Sequence, residues 1–580
     1  MTRRTRDDDL EALRTQTFDL LVVGGGITGA GVALDAAARG LRVGLVEKGD
    51  IASGTSSWST KLVHGGLRYL EQFDFPMVRE GLRERHTLLR IAPYLVHKLS
   101  FLYPSNTGFI GKTYVDAGLW AYDLLAGTRA LGLHRRLSRK EEQADAPLRA
   151  PWDRGGFSYD DAQTDDARLA LAVLLTAVER GAVAVTYAEA TGLLKENGRV
   201  AGVHVRDVTA SEGTPHAAFT VRARAVVNAT GVWMDRVQRM DDAAVQAQVV
   251  PSKGAHIVVP FERLPIKTAV IMPKTSDGRV LFAVPWQGRV VIGTTDAAYE
   301  GDLDRPVASD DEVDFILRNA NDYLSVALTR DDVVATYAGL RPLIRMTQVD
   351  VSGGQDPGGR DHPDQGESDT KDLSRTHVVV TSPAGLVSIG GGKLTTYRVM
   401  AHDAVEAALK ATALKAPRRA DTSRLLLTGA AGYKALRGQV GPLSTRYGVA
   451  PALVLHLLGR YGAHAVAVLE IVAGQPDLAE RIVPDLAYVW AEAVYSARHE
   501  HVTALEDVLA RRIRLNLLDR SHGVGSARRV AALIAPVLGW DAARIDDEVA
   551  RYAAYAALAG AGYGQSYKGT PNSVPAHASM

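Results

Sequence analysis

The sequence predicts an α/β chain: a doubly wound parallel-sheet domain interleaved with a largely antiparallel sheet domain, then an all-helical C-terminal domain. Three observations predict it. Residues 18–46 read strand, glycine-rich turn, helix and strand within about 30 residues, the usual size of such a unit. Strand-like stretches with hairpin turns dominate 248–296. After about residue 425 only amphipathic helical patterns occur. The 580 residues are several times an ordinary domain of roughly 100–200. Hydrophobic residues at 46% and charged residues at 23% exclude a collagenous, coiled-coil or wholly disordered chain.

In chain order, residues 1–17 alternate charges without apolar period and read as a flexible N-terminal arm. Phe18 to Val23 is the first strand, Ala30 to Arg39 a helix stopped by Gly40, and Arg42 to Val46 the second strand. Residues 73–126 read as mostly helical, and 165–181 as an amphipathic helix ending at Gly181. Asn197-Gly198 is a two-residue hairpin signal and Gln287-Gly288 marks another turn. Residues 351–374 carry five glycines and two prolines with almost no apolar content, the composition of a flexible surface insertion. Leu386 to Ile389 is a late strand running into Gly390-Gly391-Gly392, after which Lys393 to Tyr397 opens a helix. Pro451–Tyr461, Leu486–Ser496 and Leu505–Leu518 carry the helical periods of a domain spanning 401–565, and 566–580 is a tail.

Several chemistries are excluded at once. The chain has no cysteine, so disulfides, thiolate nucleophiles and cysteine-held metal centres are absent and redox chemistry needs a borrowed cofactor. Lys+Arg 67 against Asp+Glu 66 gives a formal charge of +1, with no global footprint for nucleic acid. The charged N-terminus lacks a signal-like apolar stretch, and no uninterrupted apolar run approaches 20 residues, which predicts a cytoplasmic chain that does not span a membrane.

Gly24-Gly25-Gly26-Ile27-Thr28-Gly29 is a G-x-G-x-x-G turn between a strand and a helix, with Glu47 eighteen residues past Gly29 at the end of the next strand. Glycine permits the tight turn and close backbone approach to a pyrophosphate. The helix N-terminus stabilises that anion, and the carboxylate accepts hydrogen bonds from ribose hydroxyls. NAD and FAD both satisfy this pattern. The second cluster, Gly392 with Lys393, Leu394 and Thr395, brings a late strand to another helix N-terminus, a place to stabilise negative charge on a reduced flavin. Ala229-Thr230-Gly231 supplies small residues at a further strand end, with a plain turn as the alternative. Ser53 to Tyr69 is rich in hydroxyls and glycines. Its Thr55, Ser56, Ser57, Leu62, Gly65 and Gly66 suit flavin and pyrophosphate, with a solvated loop as the alternative.

GGGITGAGVALDAAARGLRVGLVEK, SGTSSWSTKLVHGGLRYLE, NATGVW, GLRPL and GGKLTTYR together closely resemble the FAD-dependent, respiratory (aerobic-type) glycerol-3-phosphate dehydrogenase family, over roughly residues 18–520. LEDVLARRIRLNLLD is similar to that family's C-terminal domain. The resemblance implies a glutathione-reductase-like FAD-binding fold (about 18–75, 150–250 and 375–400) interleaved with an antiparallel-sheet substrate domain (about 76–149 and 251–350), plus the all-α C-terminal domain. It implies hydride transfer from C2 of sn-glycerol 3-phosphate to flavin N5, giving dihydroxyacetone phosphate, and electron delivery to a quinone. A homodimer, peripheral on the cytoplasmic face of the inner membrane, comes with it. An oxidase using oxygen, a non-catalytic flavin-holding sensor and an oxidase of a neutral amine are the alternatives.

By the family pattern the substrate phosphate falls to Arg68 with Tyr69, to Arg341 in GLRPL and to Arg375 in LSRTH, and the proton of the C2 hydroxyl to His256 in SKGAHI or to Arg341. Lys48, Lys61 and His64 are expected beside the cofactor, Lys61 offsetting its charge, with stabilisation of the loop as the alternative for Lys61 and His64. Each has a structural alternative: an interface contact for Arg68, an ion pair for Arg341, a core hydrogen bond for His256. Asp160-Asp161 and Asp165-Asp166 lack a third ligand at metal spacing and read as a solvated face and a helix cap. Phe101–Pro104 through Phe109–Lys112 is the candidate membrane patch, with core packing as the alternative.

Overall fold

The computed structural model describes residues 5–71, 73–107, 109–210, 217–345 and 376–560. In the first sheet Thr17–Val23 lies between Val43–Val46 and Ala218–Asn228, all parallel, with Leu20 opposite both Val43 and Ala225. Val183–Val185 extends the sheet on one side; Leu386–Gly390 extends it in parallel on the other, and antiparallel Val378–Thr381 closes that edge. These strands read as apolar runs because helices cover them. Ile27–Ala38 packs against Asp166–Val178 and Tyr397–Thr412. A Cβ at Gly29 would stand 1.9 Å from the Gly24 carbonyl oxygen, and one at Gly31 2.8 Å from the Tyr397 ring, so glycine is what lets strand, helix and helix approach this closely. The Asn197-Gly198 turn forms as predicted between Ala188–Glu196 and Arg199–Asp207, with φ of 50° and 73°.

The second sheet is mixed and mainly antiparallel. Val249–Pro260 pairs with Ala335–Ile344 on one side and with Arg289–Gly293 on the other, and Leu281–Trp286 and Ala269–Met272 continue it. His97–Tyr103 runs parallel to Ala269–Met272 and antiparallel to Phe157–Gln163, which pairs in turn with Leu62–Val63.

The structure corrects several expectations. Residues 1–17 are not simply an arm: Arg6–Thr15 is a helix with a Thr5/Asp8 capping box, and its Leu10 and Leu13 are buried against the first sheet. Three apolar residues among ten hid that face. The 73–126 stretch is interrupted by the strand His97–Tyr103. Phe157–Gln163 and Leu62–Val63, expected in the first domain, belong to the second sheet. Phe101 and Leu102 are core residues rather than a membrane patch, each 1% exposed. Asp161 and Asp166 are buried against Arg85 and against Lys61 with Arg514, so those acidic pairs are not a solvated face, although Asp165 does cap its helix. The 351–374 insertion, the 566–580 tail and Arg375 lie outside the described residues.

Beyond Tyr397 the described chain is helical. Pro451–Gly474 is apolar and long enough to cross a membrane, yet half of it is buried in the protein, where Leu457, Leu458 and Leu469 join the core shared with Ile27–Ala38. The predicted helix 486–496 forms as Trp490–His499, and 505–518 forms as a π-helical turn, Asp507–Arg512, followed by Leu515–Leu518.

Candidate active site

A cavity of about 680 Å³ opens where the two sheets and the C-terminal helices meet, and it gathers motifs from the whole length of the chain. Gly24, Gly26, Ile27 and Thr28 line it at the N-terminus of Ile27–Ala38. No side chain caps that helix at Gly26, and its first turn carries no acidic residue, so its dipole leaves an electropositive end. Gly29 is a packing residue set back from the lining. Glu47 lines the cavity with Oε2 accepting from the Gly25 amide at 2.6 Å and Oε1 from the Gly49 amide at 2.8 Å. Burial raises its pKa despite both donors. Lys48 lies 4.0 Å over the Trp233 ring and pairs with Asp304.

The hydroxyl-rich loop divides into residues that face the cavity and residues that hold the loop. Ser56 Oγ accepts from the Ile27 amide at 2.9 Å, and Thr55 Oγ1 donates to the Leu340 carbonyl at 2.6 Å, so this loop ties the first helix to the second sheet. Both line the cavity. Ser57 and Lys61 turn inward instead, a correction to their expected place at the cofactor. The Lys61 ammonium is wholly buried, donating to both Asp166 oxygens at 2.9 and 2.8 Å and to the Ser57 carbonyl at 2.8 Å. Burial and the neighbouring Arg514 lower its pKa to about 8. Leu62, His64 and Tyr69 reach the cavity. Gly65 and Gly66 shape the turn beneath it; a Cβ on Gly65 would meet Tyr122 Oη at 2.6 Å. Arg68 is exposed and outside the lining, because the short 3₁₀ turn Leu67–Leu70 sends successive side chains in different directions. It is not in position to meet a ligand there.

Ala229, Thr230 and Gly231 line the cavity. Buried Asn228 fixes that exit, its amide donating to Met234 O at 3.0 Å and its Oδ1 accepting from Thr230 Oγ1 at 2.7 Å. The second glycine cluster arrives as expected: Gly392, Lys393, Leu394 and Thr395 line the cavity, and the Lys393 ammonium sits 3.8 Å over the Tyr69 ring.

His256 and Arg341 belong to adjacent strands of the second sheet. His256 stands opposite both Gly293 and Tyr337 in register. Its ring stacks on Tyr337 at 4.6 Å and 8°, and a Cβ on Gly293 would lie 2.2 Å from His256 Cδ2. The imidazole is therefore held between an aromatic face and a position only glycine leaves open. Its Nε2 is 3.0 Å from Thr60 Oγ1. Burial first, then the charges of Arg341 and Lys61, lower its pKa well below the ordinary histidine value, so the ring is neutral near pH 7. Arg341 is aimed from behind: Nη1 reaches Ser252 Oγ and Asp296 Oδ1 at 3.3 Å, and Nη2 donates to Thr294 Oγ1 at 3.1 Å. A Cβ on Gly254 would fall 2.6 Å from Arg341 Nη2.

Sequence reasoning missed Trp58, Thr60, Thr294 and Tyr337, and it missed the C-terminal wall of Arg511, Asn516, Leu517 and Tyr555. The glycines of KGAHI and VIGTT were a usable signal, since pairing those strands places Gly293 across from His256. Nothing local in the helical domain announced a cavity wall.

The family model described as FAD dependent oxidoreductase matches residues 19–398, and the C-terminal domain of alpha-glycerophosphate oxidase matches 420–545. The chain is 43% identical over 546 residues to glycerol-3-phosphate dehydrogenase 2 of Mycobacterium tuberculosis, covering 93% of this chain and 88% of that protein. It is 38% identical over 552 residues to mitochondrial glycerol-3-phosphate dehydrogenase of Homo sapiens, covering 91% and 71%. The glycerol-3-phosphate dehydrogenase of Bacillus halodurans, solved in complex with FAD, superposes with a TM-score of 0.76 at 30% identity over 96% of this chain and 97% of that one. The residues present fit FAD: a helix end with a glycine N-cap and no acid in its first turn, a carboxylate at the next strand end, a second helix N-terminus, and a volume within the roughly 300–1,000 Å³ of cofactor sites. Two glycine turns far apart in sequence, one cavity between them and relatives matched along nearly the whole length lead to one conclusion: the chain belongs to the FAD-dependent glycerol-3-phosphate dehydrogenase family.

Proposed function

We propose that the protein oxidises sn-glycerol 3-phosphate at C2 to dihydroxyacetone phosphate and passes the electrons to a quinone. The observation that carries this reading is that a neutral buried imidazole and a guanidinium fixed from behind stand on adjacent strands, both on the wall of one cavity. Bound FAD supplies the acceptor, at flavin N5, for the hydride leaving C2. Arg341 holds the substrate phosphate, with Asp296, Ser252 and Thr294 fixing its planar fork. His256 takes the C2 hydroxyl proton; its lowered pKa keeps it in the accepting form, and Tyr337 and Gly293 hold the ring in one orientation. Gly24, Gly26 and Thr28 hold the pyrophosphate of FAD, Glu47 its ribose, and Lys393 to Thr395 face the flavin. Arg68 has no part in this scheme.

The rest of the reading is a peripheral homodimer on the cytoplasmic face of the inner membrane. It is supported by an apolar face on Phe109–Ala126, where Tyr114 is 68%, Trp120 56% and Leu124 82% exposed.

The deciding experiment is anaerobic titration of the FAD-loaded protein with glycerol 3-phosphate, glycerol or sarcosine, followed by flavin absorbance. Bleaching by glycerol 3-phosphate alone is expected. No bleaching by it, or equal bleaching by sarcosine, overturns the reading. Reoxidation by a soluble quinone faster than by oxygen is expected; peroxide as the main product means an oxidase.

A further inference from the structure

A second cavity, of about 560 Å³, lies where Phe75–Ile91, the turn Gly127–Arg129, Tyr397–Thr412 and residues 420–423 meet. Its lining is unlike that of the first. Arg83, Arg90, Arg129 and Arg398 face it with His86 and His402, against only two carboxylates, Glu84 and Asp421.

Both carboxylates are already neutralised. Buried Glu84 receives a two-pronged fork from Arg398, at 2.8 Å to each oxygen, and Arg83 Nε at 3.2 Å. Asp421 pairs with Arg424 at 3.2 Å and accepts from the Ser423 amide at 3.1 Å. Among the described residues, no carboxylate lies within ion-pair distance of Arg90 or Arg129. Arg90 is oriented by one bond, Nη2 to the Ser423 carbonyl at 3.0 Å. The uncompensated charge is felt by a neighbour: burial and then Arg90, Arg129 and Arg85 lower the His86 pKa.

A guanidinium presents a rigid fork of N–H donors that matches phosphate oxygens, and each arginine pairs one negative charge. Glu84 engages Arg398 and Arg83, and Asp421 engages Arg424, so Arg90 and Arg129 are the two guanidiniums of the lining with no carboxylate partner among the described residues; two such forks on a half-open cavity match the oxygens of a phosphate dianion. A carboxylate engages one such fork where a phosphate engages both, and a nucleic-acid backbone needs a longer basic stripe than two arginines supply. We infer that this cavity is a second phosphate-binding site, apart from the catalytic one, taking a phosphate dianion, free or as a monoester, between Arg90 and Arg129.

The site is connected to the first cavity through one helix. Arg398 stands at the start of Tyr397–Thr412, directly after the Leu394–Thr396 turn that lines the cofactor cavity.

The test is calorimetric titration of the FAD-loaded full chain with inorganic phosphate, and separately with glucose 6-phosphate. Wild type and the double variant Arg90→Ser/Arg129→Ser are compared, with Arg341→Ala as the control for the catalytic site. Wild type is expected to take two phosphates per chain. The double variant is expected to take one, its lost site weakened at least about tenfold, as expected for losing charge-assisted hydrogen bonds. Arg341→Ala is expected to lose the other phosphate and keep this one. Binding of both probes means that the site reads the phosphate group; binding of glucose 6-phosphate alone at this site means that it takes an ester. A double variant that binds both probes as wild type does overturns the proposal; a single site in wild type that the double variant loses and Arg341→Ala keeps upholds it and tells against the proposed role of Arg341 instead. Both arginines are exposed, and an unchanged melting temperature without phosphate confirms the fold. The charge reversal Arg129→Glu is the second variant and is expected to abolish the same site.

Discussion

The glycine turn at 24–29 and the junction with the C-terminal helices both wall the same cavity, but they do so by different physics. The turn works with backbone: six consecutive residues bring a helix end to the cofactor, and its fine adjustment, Gly29 against the Gly24 carbonyl and Gly25 against Glu47, is a matter of missing Cβ atoms. The junction works with buried charge drawn from segments far apart. Asp50 pairs with Arg511 and Arg512, Asp166 with Lys61 and Arg514, and Arg168 with Glu500. Every one of these side chains is at most 6% exposed. A close-packed turn takes an added Cβ only by moving backbone, as at Gly29, where it would stand 1.9 Å from the Gly24 carbonyl oxygen. A buried ionic cluster tolerates the loss of one member poorly, because the partner left behind can be neither solvated nor paired.

That contrast can be broken by experiment. Asp166→Ala strands Lys61 and Arg514 together and is expected to cost about 3–5 kcal/mol, with loss of FAD as the C-terminal wall loosens. Thermal unfolding of holoenzyme and variant measures it, and a loss under 1 kcal/mol would place the junction's strength elsewhere. Gly29→Ala forces helix and strand apart and should cost about 1–3 kcal/mol, with FAD retained less tightly through gel filtration. Full yellow colour and unchanged melting would show that the close approach is dispensable.

Acid adds a third comparison, since His256 lies between the two regions. Its pKa is lowered by folding, so below its unfolded value of about 6.5 the unfolded chain binds a proton that the folded chain refuses. Stability from this group is therefore present above that value and lost as pH falls below it, at up to about 1.4 kcal/mol per pH unit. His256→Gln should flatten that slope between pH 6.5 and 5, and an identical slope would mean that the imidazole is not held neutral. The smallest effect concerns the N-terminal helix. Thr5→Ala removes its cap and should cost about 1 kcal/mol in unfolding, whereas no change would return residues 1–17 to the status of a loose arm.

How much was legible follows the same division. The turn at Gly24, the carboxylate at Glu47 and the cluster at Gly392 could be read because strand, bend and helix are contiguous. His256 and Arg341 were readable as residue types by resemblance, and the sheet then placed them on adjacent strands, His256 opposite Tyr337 and Arg341 opposite Ser252. Arg68 misled because a 3₁₀ turn rotates neighbours by a third of a circle, so that Tyr69 faces the cavity while Arg68 does not. Lys61 misled because a cation beside a cofactor motif looks the same in sequence whether it meets an anionic ligand or a buried aspartate.

The sequence alone determined the local geometries: where the chain bends, which turns need positive φ, where helices begin, and the family to which the motifs belong. Only the tertiary structure decided which charges are partners, that the helical domain is a wall of the site, and that arginines from three segments line a second cavity. The physical reason is that backbone conformation is set by neighbours within a few residues, whereas electrostatic partnership and enclosure depend on distances that the chain fixes only once it is packed.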